Sequence, residues 1–148
     1  AGLITRPREG RPRPARLTRS RRETWRLAQP LLRSPVRARY LTAARQIPGA
    51  LAAGLSALGR LSDLAAGEPT VALSAPAWRE LEAELEPEAV RDGALEAHHT
   101  LVEVWAYDPR VLARGPYVDV LSLYLSLRDT HDERVEAALE QALEALPW

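Results

Sequence analysis

The sequence contains no cysteine, methionine, phenylalanine, lysine or asparagine. Without cysteine there is no disulfide, no thiol nucleophile and no thiolate metal ligand, which fits a cytoplasmic protein. Without lysine every basic side chain other than histidine is arginine. Together with the abundance of Ala, Leu and Pro, that bias has the character of a GC-rich coding sequence. Without methionine the chain has no initiator, so a processed, excised or truncated N-terminus is expected. No apolar run approaches the length of a membrane span. The opening residues Ala1 to Arg6 lack the hydrophobic stretch of a signal peptide.

Charge is present in abundance and unevenly spread. The net formal charge is zero, with 20 basic and 20 acidic side chains. Thirteen arginines lie between Arg6 and Arg45 against Glu9 and Glu23 alone, a local charge of +11, and the rest of the chain balances it. Basic charge gathered at one end is the electrostatic footprint of a polyanion partner, most often nucleic acid. The acidic body needs a different partner.

The first eighteen residues read as a hairpin. Leu3–Arg6 and Ala15–Thr18 are short extended segments, and Pro7 to Pro14 joins them through one glycine and three prolines. Ser20-Arg21-Arg22-Glu23 is a capping box, predicting a short helix with Trp25, Ala28, Leu31 and Leu32 inward and a disturbance at Pro30. Strands are expected at 36–42, 70–73 and 101–107, where β-branched and aromatic residues recur.

Helices are expected between and after these strands. One opens at Pro48 and carries Leu51, Leu55, Leu58 and Leu61, with Ala52, Gly54 and Ala57 admitting a close neighbour. A second is capped by Ser74 and holds Trp78, Leu81 and Leu85 inward, with five glutamates from Glu80 to Glu88 forming a solvated face. Asp108-Pro109 starts a single short helix. Asp119 caps a helix over Val120–Leu127 that is apolar nearly all round and therefore buried. Thr130-His131-Asp132-Glu133 reads as another capping box, before a last helix with Val135, Ala138, Leu139, Ala142, Leu143 and Leu146 inward.

The expected architecture is thus a mixed α/β fold. A small three-stranded mixed sheet is covered by four to five helices and preceded by a basic β-hairpin arm. Two domains are expected: 1–34, a basic hairpin and short helix, and 35–148, an acidic α/β domain.

Ala1-Gly2-Leu3-Ile4, the arginine loop and Arg16-Leu17-Thr18 resemble the end of a recognition helix and the wing of a winged helix-turn-helix protein. Further likeness lies in Leu32–Arg37, Leu51–Leu58, Val71–Ser74 with Trp78, Tyr117–Leu127 and Asp132–Leu139. Together these segments resemble bacterial winged-helix transcriptional regulators related to the abortive-infection type IV antitoxins. The resemblance implies a DNA-binding transcription regulator of a toxin–antitoxin system. Its wing would touch the backbone or minor groove of double-stranded DNA, and its C-terminal domain would meet a cognate toxin or form a homodimer. The family's helix-turn-helix proper would precede Ala1, so base-specific reading by this chain is expected to be lost or weakened.

The arginines expected at DNA are Arg6, Arg8, Arg11 and Arg13 at the wing tip, extended by Arg16, Arg19, Arg21 and Arg22, and more weakly by Arg37 and Arg39. A guanidinium forks onto phosphate and enters narrow A·T-rich minor grooves. The alternative class is a protein-interaction or self-association module with no DNA role, its basic arm docking an acidic surface. Catalysis is not expected. Gly54-Leu55-Ser56 could pass for the glycine-serine turn of a nucleotidyltransferase, the usual toxin partner of such antitoxins, but no Asp-x-Asp pair follows. There is no phosphate-binding Gly-rich loop, no nucleophile turn and no cofactor motif. His98 and His99 are adjacent, and with His131 they form a poor zinc set. Asp129, Asp132 and Glu133 read as helix-start acids.

Overall fold

The computed structural model of the chain describes residues 4–5, 16–65, 67–90 and 99–148. The chain divides into two compact units, residues 1–33 with 146–148, and residues 34–145.

In the smaller unit β1 (Ile4–Thr5) and β2 (Arg16–Leu17) pair antiparallel, Ile4 opposite Leu17 and Thr5 opposite Arg16. The expected hairpin ladder is therefore present, while its connecting loop, Pro7 to Pro14, lies outside the described residues. Helix α1 (Arg21–Ala28) begins where expected, because Ser20 Oγ accepts the Glu23 N–H at 3.2 Å. Its inward face differs from expectation. α1 buries none of its residues, and Leu31 and Leu32 are 78% and 42% exposed. The cause is local: the chain tightens into a 3-10 turn over Gln29–Leu31 around Pro30, which shifts those leucines off the helical register.

The larger unit is built on one sheet. Its strands are β3 (Val36–Thr42), β4 (Leu51–Ala52), β5 (Thr70–Ser74), β6 (Glu88–Ala89) and β7 (Thr100–Trp105), in the order β4-β5-β7-β3-β6. β5 and β7 run parallel and the other neighbours antiparallel. The expected strands are the middle three, but the sheet has five strands, so the three-stranded expectation is overturned. The two additions are two-residue edge strands lying inside segments that read as helix.

Each addition has a physical reason. The helix expected from Pro48 begins only at Gly54, as α2 (Gly54–Leu61). Gly54 sits at φ +53 with its α-carbon against Thr70, where a Cβ would lie 2.8 Å from Thr70 Cγ2. Left-handed backbone at that point interrupts any helix coming from residue 51. Ahead of it, the Ala52 N–H donates to Pro116 O at 2.9 Å and its carbonyl accepts from Val118 N at 3.0 Å, which covers the edge of β4. At the other edge α3 (Ala75–Leu85) stops before Glu86, at φ 42, because Pro87 disfavours helical backbone in the residue ahead of it. Glu88 and Ala89 then pair with Leu41 and Tyr40, so the glutamate run is helix face only as far as Glu84.

Two apolar clusters occupy the larger unit. One gathers Trp78 and Leu81 of α3 with Leu73, Val102 and Val104, closed by the Tyr40 and Trp78 rings stacked at 4.7 Å. The other gathers Trp105 and Ala72 with α2, α4 (Val120–Leu127) and α5 (Glu133–Glu144). Buried positions recur along α5 at Val135, Ala138, Leu139 and Ala142. α4 buries Ser122, Leu123, Leu125, Ser126 and Leu127, as its all-round apolarity predicts. The N-cap of α5 is Asp132, which accepts from Arg134 N and Val135 N, rather than Thr130. Thr130 instead donates to Leu127 O at 2.8 Å and closes the end of α4.

Glu103 is the unusual member of the sheet, a carboxylate only 2% exposed on the central strand. Trp105 Nε1 donates to its Oε2 at 3.1 Å, and Arg39 Nε and Nη2 donate to its Oε1 at 3.2 and 3.1 Å. Replacing Trp105 by Phe orphans Oε2 and is expected to cost about 1–3 kcal/mol beyond the lost packing. Arg39→Ala should cost at least as much, because it leaves a carboxylate only 2% exposed without its counter-charge. Gly54→Ala should destabilise by clearly more than Gly49→Ala: both have positive φ, but a Cβ at Gly49 meets nothing within 4 Å. Urea unfolding of the four variants tests these orders, and equal midpoints for the two glycine variants would contradict the close approach to Thr70.

Candidate nucleic-acid interface

Of the eight arginines expected at DNA, Arg6, Arg8, Arg11 and Arg13 lie outside the described residues. Arg16, Arg19, Arg21 and Arg22 are brought into one short stretch formed by β2, the following bend and the first turn of α1, and all four are exposed. Arg26 and Arg33 are exposed in the same unit and belong with them. The sequence signal for these two was the basic run itself, which continues past the capping box.

Arg19 Nη1 meets the Glu23 carboxylate one helical turn on. Among the described residues, no carboxylate pairs with the other five arginines. Arg21 and Arg22 stand at the first two positions of α1, where the helix macrodipole is positive. Each works against that dipole by about 0.3–1 kcal/mol at low salt, a cost that a bound anion would reverse. The unit 1–33 with 146–148 contains ten arginines against two glutamates, +8, whereas 34–145 contains ten arginines against eighteen acids, −8.

Arg37 and Arg39 lie in the other unit. Both belong to β3 in the acidic unit, where Arg39 is committed to Glu103. Arg37 falls at the register shift between Val36 and Ala38 and is exposed.

The remaining candidate residues are dispersed. His98 lies outside the described residues. His99 is half-buried at the start of β7, and His131 is exposed at φ 53 ahead of α5. No group of three metal-ligating side chains occurs among the described residues. Asp132 uses Oδ1 on two backbone N–H groups, and Asp129 approaches Arg128 at 4.0 Å. Ser56 Oγ accepts from Thr70 N and donates to Glu68 O, which ties α2 to the start of β5. Among the described residues, no helix is long and apolar enough to cross a membrane.

Comparison of the chain with protein-family models, with curated proteins and with solved structures finds no match.

The Ser20 cap closes the first turn of α1, which carries Arg21 and Arg22, so its loss should be felt locally. Ser20→Ala is expected to accelerate amide exchange at Glu23 about fivefold, the equivalent of roughly 1 kcal/mol of cap energy. Exchange in α4 and α5 should be unchanged. No acceleration at Glu23 would show that the cap does not hold this turn.

Proposed function

We propose that the chain is a DNA-binding regulator of antitoxin type, whose arginine-rich unit holds the backbone or minor groove of double-stranded DNA. The observation that carries this reading is the segregation of charge by compact unit. Ten of the twenty arginines fall in a unit with only two acids, and the six described among them are exposed. Folding alone gives no reason to concentrate like charge, because self-repulsion opposes the compact state. A hairpin followed by a capped basic helix offers phosphate contacts from backbone and side chain together, as winged-helix wings do.

The acidic unit would be repelled by DNA, so its role in this reading is to meet a protein, either a cognate toxin or a second copy of the chain. Its exposed acids on α3 and α5, Glu82, Glu84, Glu136 and Glu140 among them, make a basic protein surface the fitting counterpart.

Fluorescence anisotropy with a labelled random-sequence duplex tests the DNA reading. With about four phosphates neutralised, log affinity should fall against log salt with a slope of about −4. The triple variant Arg16→Gln, Arg21→Gln, Arg22→Gln should flatten that slope by about 0.9 for each phosphate contact it removes and weaken binding alike on every sequence. Binding that ignores salt, or that the triple variant leaves intact, would reject the reading. Arm-dependent self-association without DNA binding would instead support the interaction module.

A further inference from the structure

The parallel strands β5 and β7 send their chains to opposite faces of the sheet. From the end of β5 the chain enters α3, which packs in the cluster of Trp78, Val102 and Val104. From the end of β7 it runs through residues 106–111 towards α4, whose Leu123 and Leu127 belong to the other cluster. Where neighbouring parallel strands part in this way, a crevice opens outside their carboxyl ends, and in open α/β sheets that is where small ligands bind.

Two adjoining hollows, of about 310 and 460 Å³, lie at that point and share Ser74, Ala77, Glu80, Asp108 and Arg110. Pro48 and Leu81 give the first an apolar side, and Tyr107 borders the second. Their size is at the lower end of the range for ligand pockets, so the occupant is small.

The charges in the crevice are specific. Arg110 spends Nε and Nη2 on the Asp108 carboxylate, at 3.1 and 2.8 Å, and among the described residues its Nη1 has no acceptor. The hydrogen bonds from Arg110 hold the Asp108 carboxyl below the usual carboxylate range, so the pair persists at neutral pH. Glu80 has no cationic partner among the described residues and is the only acid of α3 that borders the crevice. The first turn of α3 is already capped, with Ser74 Oγ 3.3 Å from Ala77 N, which leaves Arg110 as the anion-binding group. Three charged groups therefore line both hollows: the Asp108–Arg110 pair, with Arg110 Nη1 still open, and Glu80, which has no cationic partner among the described residues.

We propose that this crevice binds a small zwitterion, an α-amino acid with an aliphatic side chain. Its ammonium group meets Glu80, its carboxylate meets the free edge of Arg110, and its side chain lies against Pro48 and Leu81. A molecule bearing both charges satisfies both groups at once, whereas an amine or a carboxylate alone satisfies one. Charge-assisted hydrogen bonds of this kind are about twice as strong as neutral ones.

The test is a titration of the full ¹⁵N-labelled chain with L-leucine, read by amide chemical shifts. It uses no DNA, so its outcome is independent of the DNA reading. L-Leucine should shift the amides of residues 74–81 and 106–111 saturably. Isoamylamine and 4-methylpentanoate, which each lack one of the two charges, should bind at least about tenfold more weakly. Glu80→Gln and Arg110→Gln should each weaken L-leucine binding by about tenfold. Both side chains are exposed, so amide shifts away from the crevice should match the wild type and verify the fold. The proposal is overturned if those amides stay unmoved up to about 20 mM L-leucine. It is equally overturned if either single-charge analogue binds as well, or if both variants keep wild-type affinity.

Discussion

The larger unit depends on β7 being buried on both faces at once. Val102 and Val104 enter the cluster under α3, and Trp105 enters the cluster under α2, α4 and α5. A strand in that position has no solvent side for a polar group, yet it carries Glu103. A buried carboxylate is tolerated only when its oxygens are hydrogen-bonded. Here the Trp105 indole meets one oxygen and Arg39 of the neighbouring strand the other. The indole that fills one cluster thus also satisfies the carboxylate beside it, and Arg39 ties β3 to β7 in register.

The parallel pairing of β5 with β7 accompanies that burial. A parallel connection needs a crossover, and α3 supplies it on one face. The second layer, α4 and α5, can then cover only the other face. The divergence of the chain after Ser74 and after Trp105, and with it the crevice holding Glu80 and Arg110, is a consequence of covering both faces of one buried strand. The sheet's edges are managed separately. Residues 116–118 cover β4, and β6 is kept to two residues, which limits the open backbone that edge strands present to other chains.

Where sequence and structure disagree, the competing signal can be named. Leu51, Leu55 and Leu58 do recur at helical spacing, but the left-handed backbone of Gly54 breaks the helix between the first leucine and the second. Pro87 stood in plain view as a helix stop, yet the alternating glutamates around it read as one continuous face. A two-residue strand has no periodicity of its own, so β4 and β6 were invisible until their partners were known. The interior strands were legible because β-branched and aromatic residues concentrate where a strand is buried. Four caps, at Ser20, Ser74, Asp108 and Asp119, were legible because each bonds a backbone N–H within three residues.

The sequence by itself determined what is local or additive: the caps at Ser20, Ser74, Asp108 and Asp119, the apolar faces of α4 and α5, the pairing of β1 with β2 and the opposition of a basic unit to an acidic one. These depend on residues near each other in the chain, or on sums over them. Tertiary structure alone decided that Glu103 is neutralised by Arg39, sixty-four positions away. It alone brought Glu80 and Arg110 to one crevice. Such pairings are properties of strand order and register, and no window of sequence encodes them because the residues that meet are joined only through the fold.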